Sequence, residues 1–360
     1  MKRYNVYKRR DGRWEGRLPF GKNKDGKRKY KYFFGKSREE VIEKMNSIKQ
    51  TKAAKDHCAM SVASLFTCWF SGIKHRIKES TAANYRMKAE KHVLPSFGEK
   101  KIDEITADDL NSFIQEKLAE GLSNRYTSDI IVLMKSMFKY AVQVHHIVNP
   151  MDYVCLPKRE KPEIQLLSET DQRKLQEYVA KNKSRTSLGI AIAMGTGIRI
   201  GELCALQGAD IDIANRVLTI RKTLQRIQCS DGIAKTKLIV SAPKSESSKR
   251  QIPIPECLLD FLKQFKTGSE EYLLSGTERA IEPRTMQYRF RKILRNVKLP
   301  SIHFHALRHI FASTCVKLGF DIKSLSEILG HSSVEITLNR YVHSSFEQKQ
   351  MYMERLKLDF

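Results

Sequence analysis

The chain contains no run of apolar residues near the roughly 18 that a membrane-spanning helix needs. Its opening, MKRYNVYKRRDGR, lacks the apolar segment of a secretory leader. The seven cysteines (58, 68, 155, 204, 229, 257 and 315) are odd in number and scattered, with no CxxC pair among them. That argues against a disulfide framework and suits reduced thiols in a cytosol. A GxxxxGK[ST] phosphate loop is missing too, so no motif points to nucleoside triphosphate as a driving force. No internal repeat or low-complexity tract interrupts the 360 residues, a length that suits two or three domains. The expectation is a soluble intracellular protein.

Negative charge is also scarce, with 40 Asp+Glu against 65 Lys+Arg. The imbalance is uneven along the chain. Residues 1–57 carry 19 basic and 7 acidic side chains, residues 58–164 carry 15 and 13, and residues 165–360 carry 31 and 20. Two basic ends around a near-neutral middle predict two separate contacts with a polyanion. An acidic membrane surface would call for a basic amphipathic helix with an exposed apolar face, and none stands out, so nucleic acid is the expected partner.

The local patterns change along the chain in step with the charge. YNVYKR, WEGRLPF and KRKYKYFF are short aromatic-rich runs separated by Asp11-Gly12 and Asp25-Gly26, which predicts three strands. In the third run Tyr30, Tyr32 and Phe34 alternate with Lys29, Lys31 and Phe33, placing an aromatic set and a basic set on opposite faces. Ser37 and Glu40 form a capping box for a helix whose Val41, Met45 and Ile48 would cover the sheet. Lysines on the free sheet face, Lys29 and Lys31, with Arg13 at the first turn, are then candidate DNA contacts; the competing reading is a solvated basic face. Residues 58–148 read as a helical bundle. Residues 149–164 hold three prolines and no apolar period, as a semi-rigid linker does. A mixed α/β segment follows from 165, with RVLTIRKTL, KLIVSAPKS and KRQIPIP as strands of one small antiparallel sheet, and the chain is helical from about 283.

Four stretches hold residues suited to chemistry. In GTGIRIGELCAL (195–206), Arg199 sits at the start of a helix, where a cation is unfavourable unless it holds an anion. Glu202, on the same face, could orient it, although a surface Arg–Glu pair would look the same. In HFHALRH (303–309), His305 and Arg308 project from one helix face. His305 and His309 also have zinc-pair spacing, but Ala306 stands where a general-base glutamate would be and no third ligand is evident, so a phosphate suits them better. In SAPKSESSKRQIPI (241–254), Lys244 lies at the edge of a polar turn between two strands, where lysines are usually just solvated. In LGHSSVEITLNRY (329–341), Gly330 ends one helix, and Ser332 with Glu335 caps the next, which fixes His331 at the corner. Val334, Leu338 and Tyr341 then fall on one apolar face, so the pattern alone reads Tyr341 as core.

The order of these residues, with Arg in GTGIRxGEL, a turn Lys, HxxR, LGH and a Tyr ten residues on, resembles the tyrosine recombinase family, in its phage and conjugative-transposon integrase branch. The resemblance runs through residues 195–341. It extends to the helical part, where HVLPSFGEKKIDEIT is similar to a core-binding domain, and less fully to the N-terminal module, which is similar to arm-binding domains. Ala306, where many relatives have Asp, departs from the pattern outside the catalytic set. The fold implied is multidomain: a small three-stranded sheet plus helix (1–57, arm-type DNA-binding), an all-α core-binding bundle (58–148), a linker (149–164) and a mainly-α α/β catalytic domain (165–360). The resemblance implies Tyr341 as nucleophile forming a 3′-phosphotyrosyl bond, Arg199 and Arg308 on the phosphoryl oxygens, and Lys244 as proton donor to the leaving 5′-oxygen. It also implies His305 in proton transfer, His331 hydrogen-bonded to the phosphoryl group, and Glu202 behind the arginines. No metal or other cofactor is implied. Partners would be double-stranded DNA at core and arm sites, three further copies in a homotetramer, and an excisionase or host DNA-bending protein, in a bacterial cytoplasm. The tail FEQKQMYMERLKLDF would dock on a neighbouring copy. A topoisomerase of type IB or a telomere resolvase would use similar residues, and a non-cleaving DNA-bending regulator would share the charge but have no use for the tyrosine.

Overall fold

The computed structural model describes residues 5–9, 11–22, 28–53, 60–158, 165–229, 235–242, 246–341, 350 and 353–354. The chain divides into two compact units, residues 1–161 and 162–360.

In the first unit, β1 (Val6–Lys8), β2 (Trp14–Lys22) and β3 (Arg28–Gly35) form an antiparallel sheet in that order. Gly12, at φ +84°, makes the turn between β1 and β2, as Asp11-Gly12 predicts; Asp25-Gly26 lies outside the described residues. Helix α1 (Arg38–Ala53) starts where expected, with Ser37 Oγ accepting from Glu40 N at 3.1 Å. The Glu40 carboxylate reaches the Lys36 backbone N (2.7 Å), one residue before the cap. Val41 and Met45 are buried against Phe33; the Ile48 side chain lies outside the described ones.

The faces of β3 correct the sequence reading. Phe33, and with it the Lys31 side of the strand, belongs to the face that α1 covers. The free face is aromatic: Tyr30, Tyr32 and Phe34 are all exposed. The reason is volume. Gly16 of β2, opposite Phe33, leaves room for Val41 and Met45, whose side chains come within 2.6 and 2.3 Å of where a Cβ would stand. One large ring per strand fits under the helix, and the tyrosines are left outside. Lys31 is exposed, and the Lys29 side chain lies outside the described ones. Arg13 is exposed and held by Asp11 at 2.8 Å.

The same unit continues with α2 (Val62–Ile73), α3 (Glu79–Lys88), a π-helical turn (Ala89–Val93), α4 (Leu94–Phe97), α5 (Ala107–Ala119) and α6 (Asn124–His145). Leu65, Trp69, Phe113, Met134, Met137 and Phe138 are among the buried residues of their common core. Thr106 opens α5 with a reciprocal Thr106–Asp109 capping box, and the chain leaves α6 through His146 at φ +53°. The ordered bundle reaches past position 149: Pro150–Tyr153 form a 3₁₀ turn, and Met151 is buried in the bundle core.

The second unit contains α7 (Glu169–Lys181, capped by Ser168), α8 (Arg185–Thr196), α9 (Ile200–Ala205), β4 (Ile211–Asp212), β5 (Val217–Ile220), β6 (Thr223–Gln228), β7 (Thr236–Ser241) and β8 (Arg250–Pro253). Among the described residues five further helices follow: α10 (Glu256–Gln264), α11 (Pro283–Asn296), α12 (His305–Lys317), α13 (Ile322–Leu329) and α14 (Val334–Tyr341). The strands make two sheets rather than the single one expected, β4-β5-β8 and β6-β7. Consequently β7 and β8 are not a hairpin. Lys244, which stands between these two strands in the sequence, lies outside the described residues. Helix α8 is apolar and buried in the core that Leu188, Ile190, Leu203, Phe290 and Leu307 share. Among the described residues no helix is long and apolar enough to cross a membrane.

Candidate active site

A helix ends with backbone carbonyls that have no partner inside it and carry partial negative charge. At the end of α13 three successive carbonyls accept from three arginines of three different elements. Ile328 O takes Arg250 Nε (2.6 Å) from β8, Leu329 O takes Arg308 Nη2 (2.7 Å) from α12, and Gly330 O takes Arg199 Nη2 (2.9 Å) from the start of α9. Arg308 also donates Nη1 to Gly197 O at 2.8 Å, which ties down the turn after α8. The sequence separations of these bonds run from 21 to 131 residues, so the corner at Gly330 gathers distant parts of the unit.

Two glycines make the corner possible. Gly330 has φ +63°, and a Cβ there would stand 2.9 Å from Arg250 Nη1. Gly197, also at φ +63°, would put a Cβ 2.4 Å from the Phe311 ring. His331 follows, with its N bonded to Ser326 O at 3.0 Å, and is thereby fixed at the corner as the LGH pattern predicts.

Glu202 is buried and binds two of the arginines. Arg199 Nη1 lies 2.8 Å from Oε1, and Arg250 approaches both oxygens at 3.2 and 2.9 Å. Burial opposes its ionisation, but Arg250 and then Arg199 outweigh that and hold the carboxyl below its ordinary range. With three guanidiniums to one carboxylate, the cluster keeps an excess of positive charge. Arg308 is almost wholly buried; desolvation first, then neighbouring Arg199, lower its proton affinity to about 9, and it remains charged at neutral pH.

Tyr341 closes the cluster. Its hydroxyl is 2.7 Å from His309 Nδ1, and its ring lies parallel to the His331 imidazole with centroids 6.3 Å apart. His331 Nδ1 is fixed in turn by the Thr337 hydroxyl at 2.7 Å. Burial raises the Tyr341 phenol above its usual range of about 10, against the pull of Arg308 and Arg340. Desolvation first, and then surrounding cations, push His305, His309 and His331 each down to about 4. His305 is exposed by surface area yet crowded by His309, Arg308, Arg340 and Arg199.

Helix α14 differs from the pattern drawn for it. It begins at Val334, one residue later than a Ser332 cap would set it, and no Ser332–Glu335 box is present among the described bonds. The inward pair is Thr337 and Tyr341, while Val334 and Leu338 are exposed. Thr337 is inward because its hydroxyl has a partner there, His331. Tyr341 does join a small apolar cluster with Leu325 and Leu329, so the core reading of its ring holds alongside the polar contact of its hydroxyl.

Of the residues singled out from sequence, Arg199, Glu202, His305, Arg308, His331 and Tyr341 are therefore together. Lys244 is outside the described residues, and Arg13, Lys29 and Lys31 belong to the other unit. Two members were missed. Arg250 left one signal: it alternates with buried Ile252 and Ile254, so it stands on the apolar side of its strand. His309 was noticed only as half of a zinc pair. No group of three or more His, Cys, Asp or Glu side chains suited to a metal occurs among the described residues.

A tyrosine hydroxyl held inside a ring of arginines and histidines suits phosphoryl transfer, where charge develops on oxygens that fixed cations can stabilise. The family follows from comparison: residues 160–348 match the phage integrase family, and residues 61–118 match the phage integrase N-terminal SAM-like domain. The chain belongs to the phage integrase family, the tyrosine recombinases, and is a site-specific DNA recombinase. It is similar to a XerC-like tyrosine recombinase of Caldanaerobacter subterraneus subsp. tengcongensis, 27% identical over 94% of each chain. The transposase of transposon Tn916 from Enterococcus faecalis is 25% identical over 79% of this chain and 74% of its own. Among solved structures, the Tn1549 transposon integrase in complex with a circular intermediate DNA superposes with a TM-score of 0.69. That match covers 83% of this chain and 100% of the other, at 23% identity. A lambda integrase dimer bound to a core site gives 0.59 over 94% of each chain, at 19% identity.

Proposed function

We propose that the protein integrates and excises a mobile element by cutting and rejoining double-stranded DNA through a 3′-phosphotyrosyl intermediate. The observation that carries this is the Tyr341 hydroxyl, buried beside three arginines and three histidines. In the reaction Tyr341 attacks a DNA phosphodiester, the bond to the 5′-oxygen breaks, and the energy is kept in the tyrosyl ester for rejoining. Arg199 and Arg308 hold the non-bridging oxygens, where charge grows in the transition state. His331 hydrogen-bonds the same group, His305 assists proton transfer, and Lys244 protonates the leaving 5′-oxygen. Glu202 and Arg250 keep the arginines in place. Neither metal nor nucleotide enters this scheme.

The relatives support the wider setting. A transposon integrase and lambda integrase have been solved with DNA, the latter also as a tetramer on a Holliday junction. By analogy this chain works as a homotetramer in a bacterial cell, with the helical bundle and residues 165–341 around each core site and the chain after the Pro150–Tyr153 turn linking them. Residues 1–57 hold separate arm sites, the tail after Tyr341 docks on a neighbouring copy, and an excisionase or host DNA-bending protein sets direction.

The test is covalent capture. Nicked duplexes from a random-sequence pool should yield a denaturant-resistant adduct with the unaltered chain. Tyr341→Phe keeps the ring and its packing but removes the hydroxyl, so it should fold, bind the captured duplex and form no adduct. An adduct with the phenylalanine variant, or none with the unaltered chain, would remove the assignment.

A further inference from the structure

We infer that His309, rather than a solvent molecule or His305 acting directly, is the base that takes the proton of the Tyr341 hydroxyl. The inference rests on the reading of Tyr341 as nucleophile. His309 Nδ1 is 2.7 Å from the hydroxyl oxygen, and both side chains are buried, so the proton has a defined acceptor within hydrogen-bond distance. No hydrogen bond joins His305 to Tyr341 among the described residues; its ring instead stands edge-on to that of His309, with centroids 4.9 Å apart, and is exposed. The arrangement is serial: phenol, buried His309, then exposed His305.

The atoms balance. The phenolic O–H bond breaks and its proton passes to His309 Nδ1, giving an imidazolium. The phenolate oxygen bonds phosphorus as the P–O5′ bond breaks, and the 5′-oxygen takes a proton from the general acid assigned above. On rejoining, the 5′-hydroxyl returns its proton to that general acid and bonds phosphorus, the bond from phosphorus to the tyrosine oxygen breaks, and the imidazolium returns its proton to the departing phenolate.

The surroundings explain why the tyrosine stays protonated before DNA arrives. The charged groups facing His309 are Arg308 on its own helix and Arg340 on α14; with desolvation they disfavour its protonated form. Burial meanwhile disfavours the phenolate. A phosphodiester on the arginines brings a negative charge that offsets those cations, and the imidazolium becomes affordable only then. Substrate binding thus switches on the base.

Two measurements decide it. First, ¹⁵N NMR of His309 in the full chain without DNA should show the Nε2–H tautomer with an unprotonated Nδ1. A proton on Nδ1 would make His309 the donor to the tyrosine and would overturn the proposal. Second, His309→Asn keeps an acceptor near the Nδ1 position but cannot take a proton. Single-turnover cleavage of the captured duplex should fall by about 10²–10⁴-fold, the usual worth of a general base. Placing 3-fluorotyrosine, a more acidic phenol, at position 341 should restore at least a tenth of that loss in His309→Asn while changing the unaltered chain little. Equal effects of fluorination in both backgrounds, or cleavage by His309→Asn within threefold of the unaltered rate, would reduce His309 to a packing residue. Failure of the nucleophile reading shows separately, as an unaltered chain that captures no duplex.

Discussion

Arg250 and Glu202 make the ion pair on which the rest of the cluster leans. Both are nearly inaccessible to solvent, and the pair is bidentate. Removing one partner of a buried pair leaves the other unpaired, at a cost of about 3–5 kcal/mol. Glu202→Gln should therefore lower the melting transition of the 162–360 unit by several degrees at neutral pH. The sign of the pH dependence follows from the lowered carboxyl. A group whose folded-state pKa is depressed stabilises the protein above its ordinary value, here near 4.5, and that stability is lost as pH falls through the lower folded value. Calorimetry on both proteins from pH 7 downward should show the gap between them narrowing only below about pH 4.5; a gap constant to pH 3 would mean that Glu202 is not the titrating group. At this scale the sequence was readable where a residue's role depends on near neighbours. Arg199 with Glu202, and Gly330 with His331, are three or fewer positions apart. Arg250 depends on partners 48 and 78 residues away, which no local period encodes.

The elements that carry the site end in left-handed glycines, and two of them allow a controlled comparison. Gly319, after α12, has φ +78° with nothing within 4 Å of a would-be Cβ, whereas Gly330, after α13, has φ +63° and Arg250 Nη1 at 2.9 Å. Gly319→Ala should cost only the backbone strain, about 1–2 kcal/mol, with cleavage of the captured duplex unchanged. Gly330→Ala adds a clash with a buried guanidinium, so it should cost more than that and also slow cleavage by displacing Arg250 and the carbonyl that Arg199 holds. Equal stability losses and equal cleavage rates would show that the corner tolerates a side chain. Helix and strand positions were legible because caps and turns are local: Asp11-Gly12, Ser37 with Glu40, and Gly330 announce them. Which face of an element turns inward was not. In β3 the space left by Gly16 on the neighbouring strand decided it, and in α14 the hydrogen bond between Thr337 and His331 did. Both are tertiary facts that alternation within one segment cannot report.

Across the molecule the positive charge is held in two places of different texture. In the 162–360 unit it is concentrated at the Gly330 corner, where Arg250 and Arg308 are buried and Arg199 and Arg250 are paired with Glu202. In the N-terminal sheet it is spread over an open face, where Arg17 lies 5.0 Å from the Tyr7 ring and 5.3 Å from the Tyr32 ring, and Arg9 lies 5.5 Å from Phe34. Glu15, buried at the centre of that face, binds Arg9 at 3.1 Å and Arg17 at 2.9 Å and so holds both guanidiniums in register with the rings. Flat arginine–aromatic surfaces suit long, weakly discriminating contact with a charged backbone, whereas the catalytic cluster suits a single point of it. The two should separate by salt. Each phosphate neutralised adds about 0.9 to the slope of log affinity against log salt on duplex DNA. Deleting residues 1–57, which carry 19 basic and 7 acidic side chains, should flatten that slope on a long duplex by several units. The same deletion should leave intact the adduct with a short captured core duplex. An unchanged slope would mean that the N-terminal charges touch no phosphate and only keep the module soluble. Loss of the adduct would mean that the two basic ends serve one contact instead of two.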